Sequence, residues 1–194
     1  MPEPWALVFY EESDGGVPGR EFLAKCPTTV RAMMFAVLRA VQDAPPPQFS
    51  GGGKWEAMHE AMTGYFEVRH RGKEAGGPVM NHRLFCLLDR EAPGLPGPVV
   101  AVVDGRSKPP RTAMREEEYT VVRRLGSAYL ASRPRRIAVR YRPGAPVPAA
   151  GTYLCDEVGI RPRHRLGARG GGRFPQLPEG CAGKEWRPEY RPQK

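Results

Sequence analysis

Nowhere does the chain hold an apolar run approaching the about 20 residues that cross a bilayer. Its opening stretch, Met1 to Tyr10, carries two prolines where a secretory signal would place basic side chains. Cysteine is scarce too: Cys26, Cys86, Cys155 and Cys181 are widely scattered, too few for a disulfide scaffold in 194 residues. Together these shortages predict a cytoplasmic protein with reduced thiols and no membrane association. Acidic residues are also in the minority, 21 Asp+Glu against 30 Lys+Arg, for a formal charge of +9. Such a balance favours a polyanionic partner. Most of the basic excess is arginine, whose planar fork can donate two hydrogen bonds to one phosphate. The length fits one ordinary domain with an appendage and excludes a two-lobed enzyme.

Glycine and proline, in contrast, are plentiful at 23 and 22 residues, so long loops or a tail are expected. Trp5–Glu11 reads as a first strand, ending at the Ser13-Asp14-Gly15-Gly16 turn signal. After a brief segment from Arg20 to Cys26 comes the clearest helix. Thr28 or Thr29 can cap it, and Val30, Met33, Met34, Val37, Leu38 and Val41 recur at helical spacing. Ala44-Pro45-Pro46-Pro47 ends it.

Alternation over Thr63–Arg71, then Asn81–Asp89 and Val99–Val103, predicts an antiparallel meander of three strands. A basic turn, Asp104–Arg111, leads to a helix from about Met114 to Leu130, with Glu116, Glu117 and Glu118 at its positive end. The order strand, helix, three strands, helix indicates an α+β domain, a small antiparallel sheet with helices on one face.

The composition changes at Tyr141. We assign residues 1–140 to the α+β domain, 141–150 to a Pro-rich linker and 151–194 to a basic tail. Between Ile160 and Lys194 there are nine Lys+Arg against three Glu, with few aliphatic residues to build a core.

The element order, with Trp55, Phe66-Glu67-Val68-Arg69, His82-Arg83-Leu84-Phe85 and Gly105–Thr112 in sequence, resembles the RelE/ParE superfamily of toxins, nearest its HigB-like and phage-derived branch. The match covers about Trp5 to Ile137. The resemblance implies a compact toxin of a type II toxin–antitoxin pair, with a small helix-turn-helix antitoxin as partner. In RelE-like and HigB-like members such a toxin enters the ribosome and cuts messenger RNA; the ParE branch acts on gyrase. It implies no cofactor. A non-catalytic protein that binds ribosome, gyrase or nucleic acid through its basic surface is the alternative, because fold does not fix target.

Metal-free RNA cleavage needs the 2′-hydroxyl deprotonated, the phosphorane charge neutralised and the 5′-oxygen protonated. Period-two alternation sets Glu67 and Arg69 on one face against Phe66 and Val68, and Arg83 and Phe85 against Leu84, Cys86 and Leu88. Arg83 matches the family position that usually supplies a catalytic arginine, so the resemblance gives it phosphate stabilisation; Arg69 matches a position that is often basic and would assist. Arg106, Lys108 and Arg111 would hold the RNA backbone. Glu67 and His82 are the alternatives for the base, with His70 and His59 behind them. Trp55 and Phe85 fit either stacking on bases or packing.

The tail resembles a small zinc ribbon that has lost two ligands. Cys155 and Cys181 would be its outer pair, while Val158 and Leu177 stand in the other two places. His164 adds only an irregularly spaced third, so no metal is expected. A β-hairpin held by Tyr153, Val158, Phe174, Leu177 and Trp186 is the expected state, with Arg161–Arg173 as a mobile basic arm or else a disordered tail.

Overall fold

The computed structural model describes residues 5–45, 51–73, 77–95, 97–147, 150–155, 164–179 and 185–189. The chain divides into two compact units: the residues up to Glu11 with Val17–Ile137, and Glu12–Gly16 with those from Ala138 onward.

In the first unit, β1 (Ala6–Phe9) is followed by α1 (Pro18–Lys25) and α2 (Thr28–Asp43). Proline at the first position of α1 loses no hydrogen bond, and the Glu21 carboxylate accepts the Val17 N–H at 2.9 Å. Val30, Met34, Val37, Leu38 and Val41 form the buried stripe of α2. Its N-cap is Pro27, with no side-chain cap, so Thr28 and Thr29 lie within the first turn rather than capping it. Then come β2 (Trp55–Ala57), β3 (Tyr65–Lys73), β4 (Val79–Asp89), β5 (Val99–Lys108) and α3 (Glu116–Ala131). The three glutamates do open α3, and Glu118 accepts the Arg115 N–H at 3.0 Å.

The α+β architecture is as expected, with two corrections. The sheet runs β1-β5-β4-β3-β2 and is mixed, because β1 lies parallel to β5 while the other pairs are antiparallel. The helices cover both faces rather than one. Gly19 of α1 lies against Val102, Gly105 lies under Phe22, and Gly72 meets Val30 of α2, so α1 and α2 share a face. On the other face α3 lays Tyr119 against Phe85 and Tyr129 against Tyr10, with ring centroids 6.3 and 6.2 Å apart. The Tyr65 hydroxyl there donates to the Arg123 carbonyl at 3.2 Å. A helix on each side buries strands that alternation alone reads as half exposed.

A β-bulge sets the phase of β5. Phe85 pairs with Asp104 and Cys86 with Val102, leaving Val103 as the extra residue. Val102 and Gly105 therefore face α1 together, while Asp104 turns to the α3 side. Gly105 has no room for a side chain, since a Cβ there would overlap the Phe22 ring. Gly105→Ala is expected to destabilise this unit by about 1–3 kcal/mol through overpacking. A thermal melt that leaves Tm unchanged would refute the close approach.

The far end of α3 is clasped to β4. Arg135 and Asp89 are both buried and pair at 2.7 Å between Nε and Oδ2, and the Tyr129 hydroxyl donates to the same oxygen at 3.2 Å. Burial beside Asp89 pushes the Tyr129 phenol pKa up. Arg135 Nη1 also donates to the carbonyls of Leu130 and Ser132, which α3 leaves without helical partners.

The second unit is a small antiparallel sheet in the order β7-β6-β8: β6 (Gly151–Leu154), β7 (Arg165–Ala168) and β8 (Arg187–Pro188). Val147, Tyr153, Cys155, Phe174 and Trp186 form its core, with Tyr141, Leu166 and Leu177 packed against them. Phe174 stacks on Tyr141 at 4.9 Å and meets Tyr153 edge-on at 4.8 Å. Tyr153, Phe174, Leu177 and Trp186 thus gather as expected; Val158, Cys181 and Arg161–Arg163 lie outside the described residues. Cys155 is disulfide-bonded, which corrects the expectation of four reduced thiols. Wide spacing along the chain does not reveal nearness in space. Cys26 and Cys86 are buried free thiols.

Candidate nucleic-acid interface

Register places the charged residues of the α3 side in rows. Arg69 on β3, Arg83 on β4 and Arg106 on β5 are direct cross-strand partners. Two residues along, Glu56, Glu67, Phe85 and Asp104 form a parallel row across four strands; in the other direction stand Arg71, Asn81 and Lys108. Neighbours within a row are about 4.8 Å apart, and rows on one face about 6.6–6.8 Å apart.

Like charges directly opposite each other repel, so three arginines in line must be offset locally. The carboxylate row does this. Arg83 Nη1 donates to Glu67 Oε2 at 2.9 Å, and Arg69 Nε lies 3.6 Å from Glu67 Oε1. Arg69 also bonds Glu56, and Arg106 holds one Asp104 oxygen through Nη2 at 2.6 Å and Nε at 3.0 Å. The Arg83 side chain is only 18% exposed, and its buried Nε has no hydrogen-bond partner among the described residues.

Burial raises the Glu67 pKa; Arg83 and Arg69 act against this, and Glu56 adds to it. Burial likewise raises that of Asp104, opposed by Arg106, the Gly105 N–H and Arg124. Both carboxylates accordingly hold a proton more readily than an exposed acid does.

The sequence-chosen residues divide between the two faces. Glu67, Arg69, Arg83 and Arg106 come together, and Lys108 follows one row on, its ammonium donating to the Thr112 carbonyl. His82 does not join them. It is buried on the α1 side, with Nδ1 2.8 Å from Ser107 Oγ and 3.8 Å from Cys26 Sγ. Adjacent residues of a strand point to opposite faces, so His82 and Arg83 address different surroundings. His70 shares the His82 face, and its pKa is lowered by burial and by Lys54. His59 is exposed at the start of a single 3-10 turn, Glu60–Met62.

Trp55 is buried and stacked on Phe66, with centroids 5.0 Å apart, on the face away from the arginines. Phe85 is likewise fully buried, so packing accounts for both rings. Arg111 is exposed in the turn beyond β5 at φ 63°, apart from the rows.

Glu56, Asp104 and Arg71 are the members that sequence reasoning passed over. Asp104-Gly105 imitates a turn signal, yet β5 runs on to Lys108 because the glycine accommodates Phe22. Among the described residues no group of three or more His, Cys, Asp or Glu could hold a metal ion, and no helix is long and apolar enough to cross a membrane. Searches against family models, curated proteins and solved structures find no match to this chain.

Chemically, the rows offer planar donors at strand spacing, a carboxylate shared by two guanidiniums, and no imidazole within the described cluster. Such a surface suits a chain of phosphates.

Proposed function

We propose that the chain is an RNA-directed toxin of the RelE/ParE kind, a cytoplasmic mRNA endoribonuclease acting at the ribosome and held in check by a helix-turn-helix antitoxin. The observation that carries this reading is the in-register row Arg69–Arg83–Arg106 on an α+β sheet whose element order fits the resemblance. Arg83 and Arg69 would neutralise the in-line phosphorane. Of the four candidate bases, Glu67 is the one bonded to both arginines, and its raised pKa brings it nearer the pH at which a base works best. Glu67 would accept the 2′-hydroxyl proton, the 2′-oxygen would bond to phosphorus, and the P–O5′ bond would break. The 5′-oxygen would then take a proton from water, leaving a 2′,3′-cyclic phosphate and a 5′-hydroxyl.

Induced expression in a bacterial host is expected to arrest growth and to yield transcripts with new 5′-hydroxyl ends. Arg83→Ala should reduce the cut ends about 100-fold or more, the usual cost of losing one donor to a developing anion. Arrest that persists in the variant, with no cut ends in either strain, would sink the nuclease mechanism.

The alternative, a non-catalytic binder of ribosome, gyrase or nucleic acid, is favoured by one observation: each row arginine already bonds a carboxylate. Intact messages with salt-sensitive binding of a polyanion would select it.

A further inference from the structure

The carboxylate row is more than a counterion for the arginines. Glu67 and Asp104 side chains are each 6% exposed, and they accept from Arg83 Nη1 and from Arg106 Nε and Nη2, donors for which a phosphate would have to compete. Glu56 does the same for Arg69 from the edge strand β2. A single phosphate arriving at Arg83 or Arg106 would only exchange one anion for another. It would also strand a carboxylate that has little water to turn to, a costly outcome for a buried charge.

A strand presenting successive phosphates differs. Its second and third contacts form at high effective concentration, and it releases counterions along its length.

We infer that Glu56, Glu67 and Asp104 are specificity-determining residues, holding the row arginines in place of phosphate so that only a ligand with several consecutive phosphates displaces them. The inference rests on reading this face as an RNA site. It assigns the carboxylates a selective role that acts before any chemistry at Glu67. They reject mononucleotides and free phosphate, which are abundant and would otherwise fill an open row of arginines.

The test reads binding apart from cleavage by using a 2′-O-methyl oligonucleotide of about ten nucleotides, a length within the range one small domain covers. Lacking a 2′-hydroxyl, it cannot be cut by the route above. Wild type is expected to bind it and to ignore inorganic phosphate as competitor. Glu67→Gln and Asp104→Asn keep the shape while removing a competing charge, and each should tighten oligonucleotide binding about tenfold. Each should also make the complex sensitive to inorganic phosphate.

Arg83→Ala serves as the control for the underlying site. If it leaves oligonucleotide affinity unchanged, the RNA reading of this face fails. If Arg83→Ala weakens binding while neither carboxylate variant binds tighter or responds to phosphate, the site stands and the selectivity inference is overturned. Asp104→Asn decides the matter alone should Glu67→Gln not fold, because Asp104 has no part in the proposed cleavage.

Discussion

Replacing Arg135 with alanine is expected to lower the stability of the N-terminal unit by about 3–5 kcal/mol, the usual cost of breaking a buried ion pair from one side. Asp89 would stay buried, keeping only the Tyr129 hydroxyl and the Glu91 N–H as partners. The Leu130 and Ser132 carbonyls at the end of α3 would lose their donor as well. An unsatisfied charge and uncapped carbonyls act in the same direction, which puts the effect above that of a surface substitution. Urea denaturation followed by fluorescence of the buried Trp5 and Trp55 measures it. A shift below about 1 kcal/mol would mean that the clasp contributes no more than an exposed pair. The double replacement Asp89→Asn with Arg135→Met should recover much of the loss, since removing both charges leaves neither stranded.

Reduction of the Cys155 disulfide is the second change with a large expected effect. Its unit has a core of Val147, Tyr153, Cys155, Phe174 and Trp186 and three strands of four residues or fewer. Below about 70–80 residues such a core alone supplies little net stability. Losing a native disulfide from a small domain costs about 2–5 kcal/mol, enough here to unfold the unit while α1, α2 and α3 keep their sheet. Under reductant, near-UV circular dichroism should lose the aromatic signal of this cluster, and trypsin should cut at Arg165, Arg169 and Arg173 ahead of sites in the N-terminal unit. Retention of the signal and of tryptic resistance in reductant would show that the aromatic core suffices. Cytosolic glutathione keeps most thiols reduced, so in that compartment the oxidised unit would be a transient or redox-responsive state.

Much of the fold was legible in the residues. The stripe of α2, the glutamates opening α3 and the alternation of β3 and β4 each state their element through local chemistry. The short pieces were not legible: α1 spans eight residues and β2 three, too few for a period to show. Nor was the parallel pairing of β1 with β5, which is a tertiary choice with no local signature.

The site divides in the same way. Alternation correctly grouped Glu67 with Arg69 and separated Phe66 and Val68. It also sets His82 and Arg83 on opposite faces, although an imidazole pKa near neutrality by itself favours His82 as a base. Burial under α1 decides against it. Trp55 misled similarly, because an aromatic residue near arginines reads as a stacking platform until Phe66 is found covering it. Glu56 becomes visible only through the β2–β3 register, and Asp104 only through that of β4 and β5, which depends on knowing the bulge.

That bulge divides β5 into two half-strands that are out of step. The stretch Val99–Val102 answers to the hydrophobic core, and Asp104–Lys108 answers to the charged rows. Deleting Val103 would remove the bulge yet leave the residues beyond it on their present faces, with Asp104 still opposite Phe85 and Arg106 opposite Arg83; drawing Val103 into a regular ladder would instead turn Arg106 beneath α1 and Ser107 toward the arginine side. The charged rows therefore depend on Val103 standing outside the ladder: loss of that one residue is expected to keep Arg106 beside Arg83, whereas a side chain added at Gly105 meets the Phe22 ring.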